Sequence, residues 1–193
     1  DIFGEVPTKS EKSHIEIGTK LDILNYSGPY NYYLKKDAAI FELCAKFYFS
    51  ERLRNFGYLQ FSNPDFMKSA IVEGCGLDYT NPDEVFILHR NEDAKVNEMR
   101  LHLTGGGSLF AFIAYHARNI VIPKMFPLRY FCMGRQYKPI PENSDKGLFQ
   151  VSQASVVEIL VATKDCENEV NIDLEKILTE VTEIYKAMGY HLR

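Results

Sequence analysis

The sequence predicts a mixed α/β domain, and two features carry that reading. The first is a pair of apolar stretches, 127–137 and 147–158, separated by a short polar loop; they read as the two strands of a hairpin. The second is a pair of long segments with apolar residues at helical spacing, 37–56 and 171–188, one on each side of the hairpin in the chain. The bulk properties agree with a single globular domain. Of 193 residues, 46% are hydrophobic and 13% aromatic, which is enough to build a full core. A net charge of −4 excludes a strongly basic nucleic-acid module and a disordered acidic tail.

Taken in order, residues 1–12 are polar and read as a poorly ordered lead-in. Ser13 to Leu24 carries His14-Ile-Glu-Ile-Gly18 and closes in a turn cluster, 25–29. Tyr30-Asn-Tyr-Tyr-Leu34 reads as a short aromatic strand. Asp37 is a good N-cap and Gly57 a good stop for the helix between them. That helix has Ile40, Leu43, Cys44 and Phe47 at helical spacing, and Phe41, Tyr48 and Phe49 widen its apolar surface to nearly all round. Such a helix is buried on more than one side, often by a second subunit. Tyr58 to Pro64 reads as a strand closed by a proline, and 69–93 as loop and short helix. Leu101-His-Leu-Thr-Gly-Gly-Gly-Ser108 leads into an apolar helix, 109–119. The last helix, 171–188, has a stripe of Leu174, Ile177, Leu178, Val181, Ile184, Tyr185 and Met188 and stops at Gly189.

Several chemistries are disfavoured outright. Cys44, Cys75, Cys132 and Cys166 are widely spaced, with no Cys-x-x-Cys and no His-x-x-x-His, so neither a zinc site nor a disulfide scaffold is expected; free thiols are. No apolar run approaches the ~20 residues that cross a bilayer, and no membrane partner is expected. The run Thr104 to Ser108 is glycine-rich but lacks the Gly-Lys-Ser/Thr ending of a P-loop. The five histidines form no nucleophile–base pattern.

Pro127-Leu-Arg-Tyr130, Phe131-Cys-Met-Gly-Arg-Gln-Tyr137 and Gly147-Leu-Phe-Gln-Val-Ser-Gln153 together resemble the motif 2 hairpin of class II seryl-tRNA synthetases. His14-Ile-Glu-Ile-Gly18 is similar to the start of that family's catalytic domain, and helix 37–56 with the strand ending at Pro64 is similar to its motif 1. The resemblance runs over most of 13–193 in the family's order. It implies a class II synthetase fold, a mainly antiparallel sheet flanked by helices, with motif 3 and the N-terminal tRNA-gripping arm outside this sequence.

The same resemblance implies a degenerate site. Where the family has the α-phosphate arginine of Phe-Arg-Arg-Glu, this chain has Gly134; Arg135 is kept, and the glutamate becomes Gln136. The second-strand arginine falls on Gln150 and the histidine on Ser152, while Phe149 matches the adenine-stacking phenylalanine. In the serine pocket the family's Thr-x-Glu falls on Thr104, Gly105 and Gly106, and Glu158 matches the glutamate that ends the second strand. Period-2 alternation puts Cys132, Gly134 and Gln136 on one face and Arg135 on the other, and puts Leu148, Gln150 and Ser152 on one face of the second strand. Losing one preorganised charge donor costs ~10²–10³ in rate. An ammonium desolvated without a carboxylate is unfavourable by several kcal/mol.

The expected protein is therefore a pseudoenzyme without cofactor or metal, a mitochondrial paralogue of the family. Its dimer interface would be Phe41, Phe47, Tyr48, Phe49 and Pro64. Its partner would be a competent mitochondrial seryl-tRNA synthetase subunit in a heterodimer, with tRNA(Ser) reached through the complex. A divergent active synthetase and a stand-alone RNA-binding or regulatory homodimer are the other readings.

Overall fold

The computed structural model describes residues 12–88, 100–141, 146–164 and 167–191. The expected lead-in lies outside them except for Lys12, as do 89–93 and Cys166. Helix α1, His14–Lys20, starts in a capping box: Ser13 Oγ accepts from the Glu16 amide at 3.2 Å, and the Ser13 amide donates to Glu16 Oε2 at 2.8 Å. Strands β1 (Leu24–Tyr26) and β2 (Tyr32–Leu34) follow as an antiparallel hairpin. The expected aromatic strand is thus one arm of a pair, with its turn at 27–31 rather than 25–29.

Helix α2, Asp37–Asn55, matches expectation to within a residue at each end. Lys36 is the N-cap, and Asp37 opens the first turn, where its carboxylate faces the positive end of the helix dipole. Beyond the helix Gly57 takes φ +89°, the left-handed conformation that ends helices. Ser50 and Leu53 are buried against the sheet, whereas Ile40, Leu43, Cys44 and Phe47 face outward. The stripe with the clearest helical spacing is therefore the solvent-facing one.

Two three-stranded sheets form the body. In the first, β3 (Leu59–Phe61) runs parallel to β7 (Leu128–Tyr137), and β7 pairs antiparallel with β8 (Gln153–Ala162) over ten residue pairs, from Leu128↔Ala162 to Tyr137↔Gln153. In the second, β6 (Leu101–Leu103) lies between β4 (Phe66–Lys68) and β5 (Phe86–Leu88), all antiparallel. Helix α3 (Ser69–Gly74) follows β4. Helix α4, Leu109–His116, is three residues shorter than expected, because Ala117 is extended and Arg118 takes φ +63°. Helix α5, Glu167–Ala187, covers the other side of the first sheet.

Alternation along β7 divides the core. Tyr130 and Cys132 pack with Phe112 of α4 on one face; Phe131 packs with Leu53 and Tyr58 on the other. Ala111, the neighbour of Phe112, joins Met67, Val72 and Val85 beneath the second sheet. Polar anchors hold α5: Tyr58 Oη donates to Glu180 Oε2 at 2.8 Å, and the Arg129 guanidinium meets Asp173 at 2.5 Å. Of the expected α5 stripe, Ile184 is buried and Leu174 and Leu178 are exposed.

Candidate functional site

The β7–β8 register fixes which side chains share a face. On one face lie Tyr130, Cys132, Gly134 and Gln136 with Leu160, Glu158, Val156 and Ala154; on the other lie Phe131, Met133 and Arg135 with Ile159, Val157 and Ser155. The first face meets the loop Thr104–Ser108, whose five residues are all buried although none is a large hydrophobe. The loop is held by backbone hydrogen bonds from Gly107 N to Arg135 O at 3.0 Å and from Tyr137 N to Thr104 O at 3.1 Å. From the far side, Asp65 O accepts from the Thr104 and Gly105 amides, and Asp65 Oδ1 accepts from Gly106 N at 2.7 Å. Asn63 Nδ2 and Cys132 Sγ both donate to Gly106 O, at 3.2 and 3.1 Å. Thr104 Oγ1 is buried and meets no partner among the described residues.

On the first face and in the loop against it the only charged side chain is Glu158, while Asp65 reaches the loop from the far side. Burial raises the Glu158 carboxyl above the ordinary value. Burial, reinforced by the nearby Glu158, pushes the Cys132 thiol up to about 11, so it stays protonated and unreactive at neutral pH. Arg135 projects from the opposite face, where its guanidinium lies 3.7 Å from Glu42 of α2. Glu42 also accepts from Ser155 Oγ and lies 3.8 Å from Lys46. Arg135 thus ties the hairpin to the long helix and takes no place beside Gly134.

The second arm of the hairpin differs from expectation. Gly147–Phe149 is a 3₁₀ turn, Gln150 to Ser152 is irregular, and the strand begins only at Gln153, so Leu148, Gln150 and Ser152 do not share a strand face. The reason is competition for the backbone. Leu148 N donates to His14 Nε2 at 2.9 Å, and both the amide and hydroxyl of Ser152 donate to Pro29 O. This segment is thereby bound to α1 and the β1–β2 turn, while Lys138 N, one residue past the end of β7, donates to Ser152 O at 2.9 Å. Phe149 stands 84% exposed, its ring edge-on to His14 at 4.5 Å. Nothing in the sequence signalled the roles of His14, Pro29, Asn63 and Asp65, since each contact spans forty or more residues.

The expected interface residues separate into two groups. Phe41 and Phe47 are more than half exposed, as are Ile40, Leu43 and, on the neighbouring strand, Leu59; Pro64 is exposed in the loop after β3. Tyr48 is half-buried. Phe49 points inward instead. Its ring lies 5.3 Å from Tyr185 of α5 and helps line a groove of about 430 Å³ between α2, β8 and α5, because it falls on the helix face that packs on the sheet.

No protein-family model matches the chain. Among curated proteins it is 29% identical to the serine–tRNA synthetase-like protein Slimp of Drosophila melanogaster, over 96% of this chain and 40% of that protein. It is 25% identical to the mitochondrial serine–tRNA ligase of Mus musculus, over 100% of this chain and 38% of the other, and 28% identical to the serine–tRNA ligase of Borreliella burgdorferi. The chain spans about two fifths of the length of these relatives. Among solved structures it is similar to the cytoplasmic serine–tRNA ligase of Naegleria fowleri in complex with AMP, with a TM-score of 0.83 at 18% identity over 99% of this chain and 46% of that one. It is also similar to seryl-tRNA synthetase from Pyrococcus horikoshii complexed with ATP, with a TM-score of 0.77 at 22% identity over 97% and 41%. The chain has the fold of a class II aminoacyl-tRNA synthetase and a sequence similar to the seryl-tRNA synthetases and to a protein that resembles them.

Proposed function

We propose that this protein is a non-catalytic relative of seryl-tRNA synthetase that pairs with a competent mitochondrial seryl-tRNA synthetase subunit and supports its stability or its serylation of tRNA(Ser). The observation that carries the reading is the outward face of α2. Ile40, Leu43, Cys44 and Phe47 lie on it in one exposed stripe, with Leu59 on the neighbouring strand. Obligate interfaces resemble a core cut in half, and their aromatic residues carry much of the binding energy. The absence of any arginine or lysine from the hairpin face that carries Gly134, and from the loop against it, supports the loss of adenylate chemistry. The mitochondrial location and partner rest on the likeness to the mouse mitochondrial ligase and to Slimp.

The test is co-purification with mitochondrial seryl-tRNA synthetase, scored by complex mass. Phe47→Glu and Leu43→Glu abolish pairing while circular dichroism stays native, and Gln136→Ala leaves pairing intact. Cys44 reports occupancy directly, because alkylation of its exposed thiol slows in the complex. Normal pairing by folded Phe47→Glu and Leu43→Glu variants would place the interface elsewhere. Phe49 is unsuitable for this test, since its ring packs against Tyr185 of α5 in the same chain.

A further inference from the structure

We infer that the loop Thr104–Ser108 is a built-in plug. It occupies the hairpin face at Cys132, Gly134 and Val156 with the chain's own backbone, closing that part of the face to a ligand and joining the two sheets. The inference is independent of the pairing reading above. It rests on Gly105, Gly107 and Gly134, whose missing side chains permit the contact between loop and hairpin, and on Gly106, which packs against Asn63 behind the loop. A Cβ on Gly134 would lie 2.6 Å from Gly107 N and 3.0 Å from the Gly106 carbonyl carbon. From the loop side, a Cβ on Gly105 would lie 2.0 Å from Arg135 O, one on Gly106 2.6 Å from Asn63 O, and one on Gly107 2.4 Å from Val156 Cγ2. Real Cβ atoms do not tolerate approaches below 3.0 Å. Gly28, Gly57, Gly74, Gly76 and Gly189 show the contrast, with nothing within 4 Å of a built Cβ. The strand and the loop have therefore given up side chains at the same contact, and backbone now meets backbone there.

Hydrogen bonding completes the seal. The Thr104, Gly105, Gly106 and Gly107 amides are all bonded within the protein, to Asp65 or Arg135, so none remains to cradle an anion. Gly106 O is shared by Asn63 and Cys132. The loop follows β6 of one sheet and bonds β7 of the other at Arg135 O and Tyr137 N. Cys132, fully buried beneath it, reports whether the plug is in place.

The experiment compares Gly134→Ala, Gly107→Ala and the control Gly74→Ala in the whole chain. The readouts are thermal melting, amide exchange of Gly107 and Tyr137, and maleimide labelling of Cys132, with exposed Cys44 as the internal standard. Gly134→Ala and Gly107→Ala lower Tm by about 2–12 °C, the range for overpacking in a domain of this size. Both speed exchange at the two reporter amides and labelling of Cys132 at least tenfold below the melt; Gly74→Ala changes none of these. Val156→Ala, measured against its own single variant, restores protection to Gly107→Ala, because Val156 Cγ2 is the only atom that Cβ meets below 3.0 Å. It does not restore Gly134→Ala, whose obstacle is backbone. Should Gly134→Ala fail to fold, Gly107→Ala with its rescue decides the matter alone. Wild-type exchange and labelling in Gly107→Ala, or failure of Val156→Ala to rescue it, would overturn the plug.

Discussion

Replacing Tyr58 with phenylalanine removes one oxygen and should loosen a whole helix. Tyr58 is 4% exposed and Glu180 6% exposed, and the hydroxyl donates to the carboxylate at 2.8 Å. The phenol is held well above its usual pKa, first by burial and then by this bond to Glu180, so it remains a donor throughout the physiological range. Without it the carboxylate keeps, among the described residues, only Lys176, 3.8 Å away and 47% exposed, which is worth little. A hydrogen bond to a charged group contributes about 1.5–3 kcal/mol, and the ring itself is retained, so the loss should fall in that range. For a domain of this length the Tm shift is about 3–12 °C. Urea unfolding supplies the free energy, and a double-mutant cycle with Glu180→Leu supplies the control. With the carboxylate gone, Tyr58→Phe should cost much less, since no buried charge is left wanting a donor. A cost below about 0.5 kcal/mol in the native background, or an equal cost in both backgrounds, would refute the assignment of this bond as the anchor of α5.

Two further outcomes follow from the hairpin and the second sheet. Serine-dependent ATP–pyrophosphate exchange stays at the blank level, and Gly134→Arg alone does not raise it, because Gly106 and Gln150 remain uncharged and residues that act as a unit are not additive; a large gain from that single change would refute the alignment on which the site loss rests. His102 is fully buried with Nε2 2.9 Å from Ser69 Oγ and, among the described residues, no partner for Nδ1, and burial, then the Arg100 charge, lowers its pKa below the usual 6.5. The neutral ring is thus the folded form. Its contribution to stability is complete above about pH 6.5 and is lost as pH falls from there toward the folded value. Urea midpoints at pH 7.5 and 5.5 should differ more for the native chain than for His102→Leu, and equal differences would count against it.

The hairpin, the long helix and the last helix were legible because each rests on a local pattern: alternation, a cap and a glycine stop, an apolar stripe. Register and burial side were not. Gly147 to Ser152 alternates acceptably as strand, yet the Leu148 and Ser152 amides are taken by His14 and Pro29, and only Ser152 O keeps a bond to the first arm's end, from Lys138 N. Helix α2 is apolar nearly all round, so periodicity alone could not say that Phe49 faces the sheet while Ile40, Leu43 and Phe47 face out. That Gly106, Gly134, Gln136 and Gln150 are uncharged could be read from the residues, and their match to charged positions of the family is what the resemblance implies. Where those residues lie relative to one another could not be read, because 104–108, 134 and 156 meet only through strand pairing at long range.

Helix α4 gives the domain a mechanical property of its own. Ala111 and Phe112 are consecutive residues, yet Ala111 sits in the cluster with Met67, Val72 and Val85, and Phe112 in the cluster with Leu128, Tyr130 and Cys132. A rotation of α4 that relieved crowding in one cluster would withdraw a neighbouring side chain from the other. The two sheets are geared together through two turns of helix, so disorder in one should withdraw packing contacts from the other.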